Sequence, residues 1–213
     1  MQIYQLPLGA LQTNCYIIPG EDSRAVVIDP ASVTEVEMFL NTHGLSLGTI
    51  IVTHGHYDHF AGAAILSESS GARILASAPD EQMYSSAVKC WADFMPVEFH
   101  PIKPDKLFSD GDEFTAEGLK FRVMAAPGHT AGSCLLFMEN DGEQVIFCGD
   151  VVFLMGVGRT DGFSGSTRDM LDSLEKIAKL PGDYKIYPGH GSTTTLGYER
   201  ENNPYIARYT DQR

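Results

Sequence analysis

The chain has 213 residues, 43% of them hydrophobic, which is enough to bury a sizeable core. Its 15 Lys and Arg stand against 28 Asp and Glu, a formal charge of −13; nucleic-acid and anionic-membrane partners, which need clustered cations, are not expected. The start, Met1-Gln2-Ile3-Tyr4-Gln5-Leu6-Pro7, has no basic segment leading into an apolar core, and no stretch is apolar for the ~18 residues of a membrane helix, so a cytoplasmic location is expected.

Without a Pro/Gly/Ser-rich linker, residues 1–213 read as one domain. Residues 2–6, 13–18 and 25–29 read as strands of a meander, the last two joined across Pro19-Gly20-Glu21-Asp22. Ser32, with Glu35 three residues on, predicts a capped helix whose Val33, Val36, Phe39 and Leu40 lie on one face until Gly44. The helix-terminal His43 suits that end of the dipole. A buried strand, Thr49 to Thr53, then runs directly into Thr53-His54-Gly55-His56-Tyr57-Asp58-His59, and a helix over 60–70 follows, stopping at Gly71.

This cluster packs four N and O donors between a strand and a helix. His54 and His56 fall on one side of the loop, while Asp58 and His59 enter the first helical turn and face elsewhere. Donors split this way suit two neighbouring ions better than one.

Arg73 to Ala76 reads as a strand, and Pro79-Asp80-Glu81 as the start of a helix running to about Cys90. Residues 90–104 have no clear period and hold Trp91, Phe94, Phe99 and three prolines. Two roles stand equally for them, walling a substrate cleft or sealing the edge of the core. His100 reads as a packed or surface histidine.

Strands follow at 112–115 and 119–125, then a hairpin, Cys134 to Met138 and Gln144 to Cys148, across Asn140-Asp141-Gly142. Ser166 caps a helix with the apolar stripe Met170, Leu171, Leu174, Ile177 and Ala178, ended at Pro181-Gly182. A strand over 184–187 and a terminal helix over about 196–209, interrupted or begun at Pro204, complete the chain. Cys15, Cys90, Cys134 and Cys148 form no CxxC pair and read as buried thiols. Within this second half, His129, Asp150 and His190 each stand just beyond an apolar strand with a glycine alongside, and they are expected to complete a metal site with the cluster at 54–59.

Taken in order, His54-x-His56-x-Asp58-His59, a lone histidine in Pro127-Gly128-His129-Thr130, an aspartate in Cys148-Gly149-Asp150 and a late histidine in Pro188-Gly189-His190-Gly191 resemble the metallo-β-lactamase-fold hydrolases. Gly158-Arg159-Thr160-Asp161 with Gly165-Ser166, and Thr195 to Arg200 with Asn203-Pro204-Tyr205, look most like the small glyoxalase-II-like (hydroxyacylglutathione hydrolase-like) branch. The resemblance covers residues 1 to about 205.

The resemblance implies an α/β fold, the αββα sandwich of two mixed sheets with helices on the outer faces. It implies His54, His56 and His129 on one divalent ion, Asp58, His59 and His190 on a second, and Asp150 bridging both. Donors of this type, without thiolate, suit zinc, with iron or manganese as alternatives.

The expected reaction is attack on a small-molecule acyl thioester by a hydroxide shared between the ions, with Asp58 orienting it. Arg159 is a substrate contact or a structural ion pair, and Thr53 and Asp29 either hydrogen-bond behind the ligands or serve as cap or turn residues. A mononuclear-iron persulfide dioxygenase and a lactone or ester hydrolase of the same fold are the alternative readings. Two departures weigh against glutathione as the thiol carrier. The chain is too short for the C-terminal helical domain of glyoxalase II, and Gly191-Ser192 follow His190 where that enzyme has an acidic and an aromatic residue.

Overall fold

The computed structural model describes residues 2–210. Six strands, β1 (Tyr4–Leu8), β2 (Thr13–Pro19), β3 (Arg24–Ile28), β4 (Ser46–Val52), β5 (Arg73–Ser77) and β6 (Lys106–Phe108), form the first sheet in sequence order. The meander β1-β2-β3 is antiparallel, and β3 to β6 run parallel. The parallel crossovers carry α1 (Thr34–Thr42) and α2 (Ala63–Ser70).

The second sheet is built from β7 (Glu113–Ala116), β8 (Leu119–Ala125), β9 (Cys134–Asn140), β10 (Glu143–Gly149), β13 (Lys185–Pro188) and β14 (Thr194–Thr195), in the order β14-β13-β10-β9-β8-β7. Between β10 and β13 lie a small hairpin, β11 (Val152–Phe153) and β12 (Gly156–Val157), and α3 (Thr167–Ala178); α4 (Leu196–Asn202) follows β14.

Alternation along the strands makes three apolar layers. Cys15 and Ile17 of β2 face α1 and α2, in a cluster with Val36, Leu40 and Leu66. Tyr16 and Ile18 face the other way, meeting Phe121, Leu136 and Phe147 of the second sheet. The outer face of that sheet, Leu135, Phe137 and Ile146, packs on Met170, Leu174 and Ile177 of α3. Each such side chain is stabilised by roughly 1.5–3 kcal/mol over exposure. Helices therefore lie outside two mixed sheets that share a middle layer, the αββα arrangement expected.

Most elements fall where the sequence placed them. Ser166 caps α3 by accepting from Asp169 N–H, Gly71 ends α2 in the left-handed region, and Asp141 and Gly142, both at positive φ, make the two-residue hairpin turn. All four cysteines are free and buried.

Other elements differ. Ser32 does not cap the α1 backbone; its hydroxyl donates to the Glu35 carboxylate, and Val33 occupies the cap position. The helix expected over 79–90 is a 3-10 turn at Ala78–Asp80 followed by successive turns. The buried Asp80 side chain binds other loops there, which anchors the segment from outside. The terminal segment is helical only over α4, with a separate 3-10 turn at Ala207–Tyr209 beyond Pro204. Among the described residues no helix is long and apolar enough to cross a membrane.

Candidate metal centre

Strand direction brings the predicted donors together. From β8 to β10 the sheet takes two antiparallel steps, and β13 is parallel to β10, so all three strands point the same way. Their C-terminal ends deliver His129, Asp150 and His190. The first sheet delivers His54 to His59 from the C-terminal end of β4. The two sets are joined at the β1–β2 turn, where Asn14 N–H donates to Gly189 O at 2.7 Å and its amide to Pro188 O and Gly191 O at 2.9 Å each.

All seven predicted donors converge. Ligand atoms of His54, His56 and His129 lie within 4.8 Å of one another, and so do those of Asp58, His59 and His190. Asp150 stands between the two triads. Its Oδ2 is 3.5 Å from His129 Nε2 and 3.6 Å from His190 Nε2, and its Oδ1 is 3.4 Å from His59 Nε2. Gly189 permits this approach, since a Cβ there would sit 2.2 Å from Asp150 Oδ1.

The far side of each ring determines which nitrogen faces the centre. Thr53 Oγ1 donates to Asp29 Oδ2 at 2.7 Å and accepts from His54 Nδ1 at 3.1 Å, which leaves His54 Nε2 as a lone pair. His59 Nδ1 donates to Asp29 Oδ2 at 2.9 Å, His129 Nδ1 to Arg159 O at 2.7 Å, and His190 Nδ1 to Leu11 O at 3.2 Å. Of the two roles open to them, Asp29 and Thr53 take the one behind the His54 and His59 rings, and Asp29 has a left-handed φ of 53°.

The carbonyls of Arg159 and Leu11 were not foreseeable, because backbone acceptors leave no trace in residue type. Asp80 was missed as well. Its carboxylate accepts from Gly55 N–H and Gly132 N–H at 2.8 Å each and from the Thr130 hydroxyl at 2.6 Å, clamping the His54/His56 loop to the His129 loop.

The electrostatics match a site for cations. Burial and the neighbouring imidazoles hold His54 well below the usual histidine range, and burial with His129 pushes His56 down to about 3. Both rings are therefore neutral and available as ligands. Burial opposes ionisation of Asp58 but is outweighed by His59, His190 and the Thr13 hydroxyl, so this carboxyl sits below the usual range. Burial likewise opposes charge on His59, yet Asp58, Asp150 and Asp29 raise its proton affinity.

In the first triad, His56 Nδ1 lies 3.2 Å from His54 Nε2 and 2.8 Å from His129 Nε2. One proton can bridge only one such pair, so three imidazole nitrogens aimed at a single point leave lone pairs opposed. His59 Nε2 and Asp150 Oδ1 are buried without an aligned hydrogen-bond partner among the described residues. A divalent cation at each triad satisfies both conditions, so the residues fit the metals that the resemblance implies.

Beside Asp58 opens a pocket of about 440 Å³ lined by Ala10, Leu11, Trp91, Phe94, Met95 and Arg159, among others. The 90–104 segment divides between its two expected roles. Trp91 and Phe94 wall the pocket, while Phe99 packs on Tyr57 at the edge of the core. Arg159 reaches the pocket, but its guanidinium is held at both ends by Asp161, at 2.6 and 2.7 Å. His43 and His100 lie outside the centre, His43 stacked on Phe39 and His100 near Glu98.

Two stacked mixed sheets with outer helices, carrying a His/Asp centre at their strand ends, are the architecture of a metal-dependent hydrolase. The chain belongs to the metallo-beta-lactamase superfamily, whose family model matches residues 8–190. It is 33% identical over 210 residues to the hydroxyacylglutathione hydrolase GloC of Haemophilus influenzae, covering 97% of this chain and 98% of that protein.

Among solved structures, the B3 metallo-beta-lactamase BLEG-1 superposes with a TM-score of 0.86 at 29% identity, over 96% of this chain and 99% of that one. TTHA1623 in a di-iron-bound form superposes with a TM-score of 0.80, also at 29% identity, over 95% and 99%.

Proposed function

We propose that the chain is a cytoplasmic dinuclear hydrolase of small acyl thioesters, with zinc at both positions. The observation that carries this reading is the grouping of the donors as His54/His56/His129 and Asp58/His59/His190, with Asp150, which also groups with His54 and His59, facing both. The similarity to a hydroxyacylglutathione hydrolase supports the thioester, and the di-iron form of a similar structure supports two metals. When bound, the two cations supply a water acidified toward pKa ~7 and a Lewis acid for the acyl oxygen.

The chain's own groups do the rest. Asp58 Oδ2 accepts from the Thr13 hydroxyl at 2.7 Å and lies 3.2 Å from His190 Nε2. It is fixed, ionised and at the pocket wall, placed to orient the attacking hydroxide. Trp91, Phe94, Met95 and Leu11 give the acyl group an apolar wall. A thiolate leaves without a strong general acid, which suits this site.

The pocket also favours certain thiol carriers. Arg159 is the cation of its lining and is already bound to Asp161. A carrier with an apolar body therefore fits better than glutathione, which brings two carboxylates. Benzyl thioacetate and S-acetylglutathione share an acyl group and an alkylthiol leaving group, so they isolate the carrier. With zinc-loaded protein both are expected to release thiol, the benzyl ester about tenfold faster in kcat/KM, a difference of ~1.4 kcal/mol. A chelator should abolish both rates. No release above buffer from either thioester would sink the proposed activity.

A further inference from the structure

Four of the five imidazoles in the centre are oriented by a hydrogen bond on the nitrogen facing away from it, made to Thr53, Asp29, Arg159 O and Leu11 O. His56 is the exception. It turns Nδ1 toward His54 and His129, and its Nε2 is buried with no hydrogen-bond partner among the described residues. Against the ring lies the chain's single tryptophan, Trp91, with centroids 4.3 Å apart and planes 7° from parallel.

Trp91 is itself held in place. Its φ of 64° is an uncommon backbone state for a bulky residue, and it is enforced on both sides. Cys90 O accepts from Tyr57 N–H at 2.9 Å, and Ala92 N–H donates to Ala87 O at 2.8 Å. The Arg159 guanidinium carbon is 5.0 Å from the indole centroid. Gly162 closes against the same ring, where a Cβ would lie 2.7 Å from Cζ2.

We propose that Trp91 is a positioning residue for the metal centre. Its stacked face does for His56 what a hydrogen bond does for the other four rings, fixing the imidazole plane so that Nδ1 aims at the point shared by His54 Nε2 and His129 Nε2. A ligand ring must be held within about 10–20° to be effective, and among the described residues no hydrogen bond on Nε2 holds this one. The inference rests on the reading that His54, His56 and His129 bind one cation.

The test uses zinc affinity, by competition with a chromogenic chelator, in two backgrounds of the full chain. His190→Ala keeps the His54/His56/His129 triad, and His129→Ala keeps Asp58/His59/His190. In the first background Trp91→Ala is expected to weaken zinc by about 10–100-fold, as loss of an outer ligand support does. Trp91→Phe, which restores a stacking ring, should stay within about threefold of the parent. In the second background both substitutions should leave the affinity within about threefold, since the ring that Trp91 stacks on, His56, is not in that triad. The Trp91 emission should change as zinc fills the first background and stay constant in the second.

Equal weakening in both backgrounds would assign Trp91 a general structural role and overturn the proposal, as would unchanged affinity in the first. A Trp91→Phe chain as weak as Trp91→Ala would also overturn it. Failure of both backgrounds to bind zinc with Trp91 intact would remove the triad assignment, and the proposal with it.

Discussion

An Asp150→Ala chain is expected to hold one metal ion where two are expected in the parent, and to show the proposed thioester hydrolysis about a thousandfold more slowly. Asp150 is the one donor whose oxygens reach both triads, through His129 and His190 on Oδ2 and His59 on Oδ1. Its carboxylate lies below the usual range because, although burial opposes ionisation, His59, His129 and His190 outweigh it. A charged group at that point is therefore available to two cations at once. Removing it costs several kcal/mol of charge stabilisation, and each ~1.4 kcal/mol is tenfold in rate. Asp150→Asn keeps the shape and loses the charge, so it is expected to fall within about tenfold of the alanine variant. Metal analysis after desalting, together with kcat/KM on benzyl thioacetate, checks both parts. Two ions and full turnover in the alanine variant would contradict the bridging role.

The second large effect is on stability rather than chemistry. Asp80→Ala is expected to cost roughly 3 kcal/mol, because it leaves the buried Gly55 and Gly132 N–H groups without their acceptor and the Thr130 hydroxyl with only Ser133 Oγ, at 3.0 Å. For a chain of this length that corresponds to a fall in Tm of about 10 °C. Burial raises the Asp80 carboxyl above the usual range, and Thr130 with the two backbone donors pulls it back. Its role is to satisfy those donors and so hold two ligand loops together. Asp80→Asn is expected to recover only part of the loss, because the amide's NH2 side meets a donor where the carboxylate presented an acceptor. Thermal unfolding of the metal-free proteins measures this directly, and a Tm within about 2 °C of the parent in Asp80→Ala would refute it.

The metal donors were legible in the sequence because the chemistry concentrates them. His54 to His59 pack four ligand-type side chains into six residues. His129, Asp150 and His190 each follow an apolar strand, and a glycine beside them marks a backbone that turns sharply. The periodicities of α1 and α3 and the hairpin at Asp141-Gly142 were likewise local signals.

What the sequence concealed depends on tertiary partners. Pro79-Asp80-Glu81 has the local chemistry of a helix start, but the Asp80 carboxylate is spent on backbone groups 25 and 52 residues away. Short strands such as Lys106–Phe108, just beyond Pro104, and the β11–β12 hairpin carry too few residues for a pattern. The stack of Trp91 on His56 depends on a left-handed backbone at a tryptophan, which residue type does not announce. Residues 90–104 therefore kept two readings in the sequence, and the structure gives each to different residues.

The seven donors are expected to form two metal positions and not one. The most direct test is the metal content of the parent chain, reconstituted with excess zinc, desalted and analysed by mass spectrometry against protein concentration. Two ions per chain is the predicted result. One ion per chain at saturation would contradict the dinuclear account and move the functional reading to mononuclear chemistry.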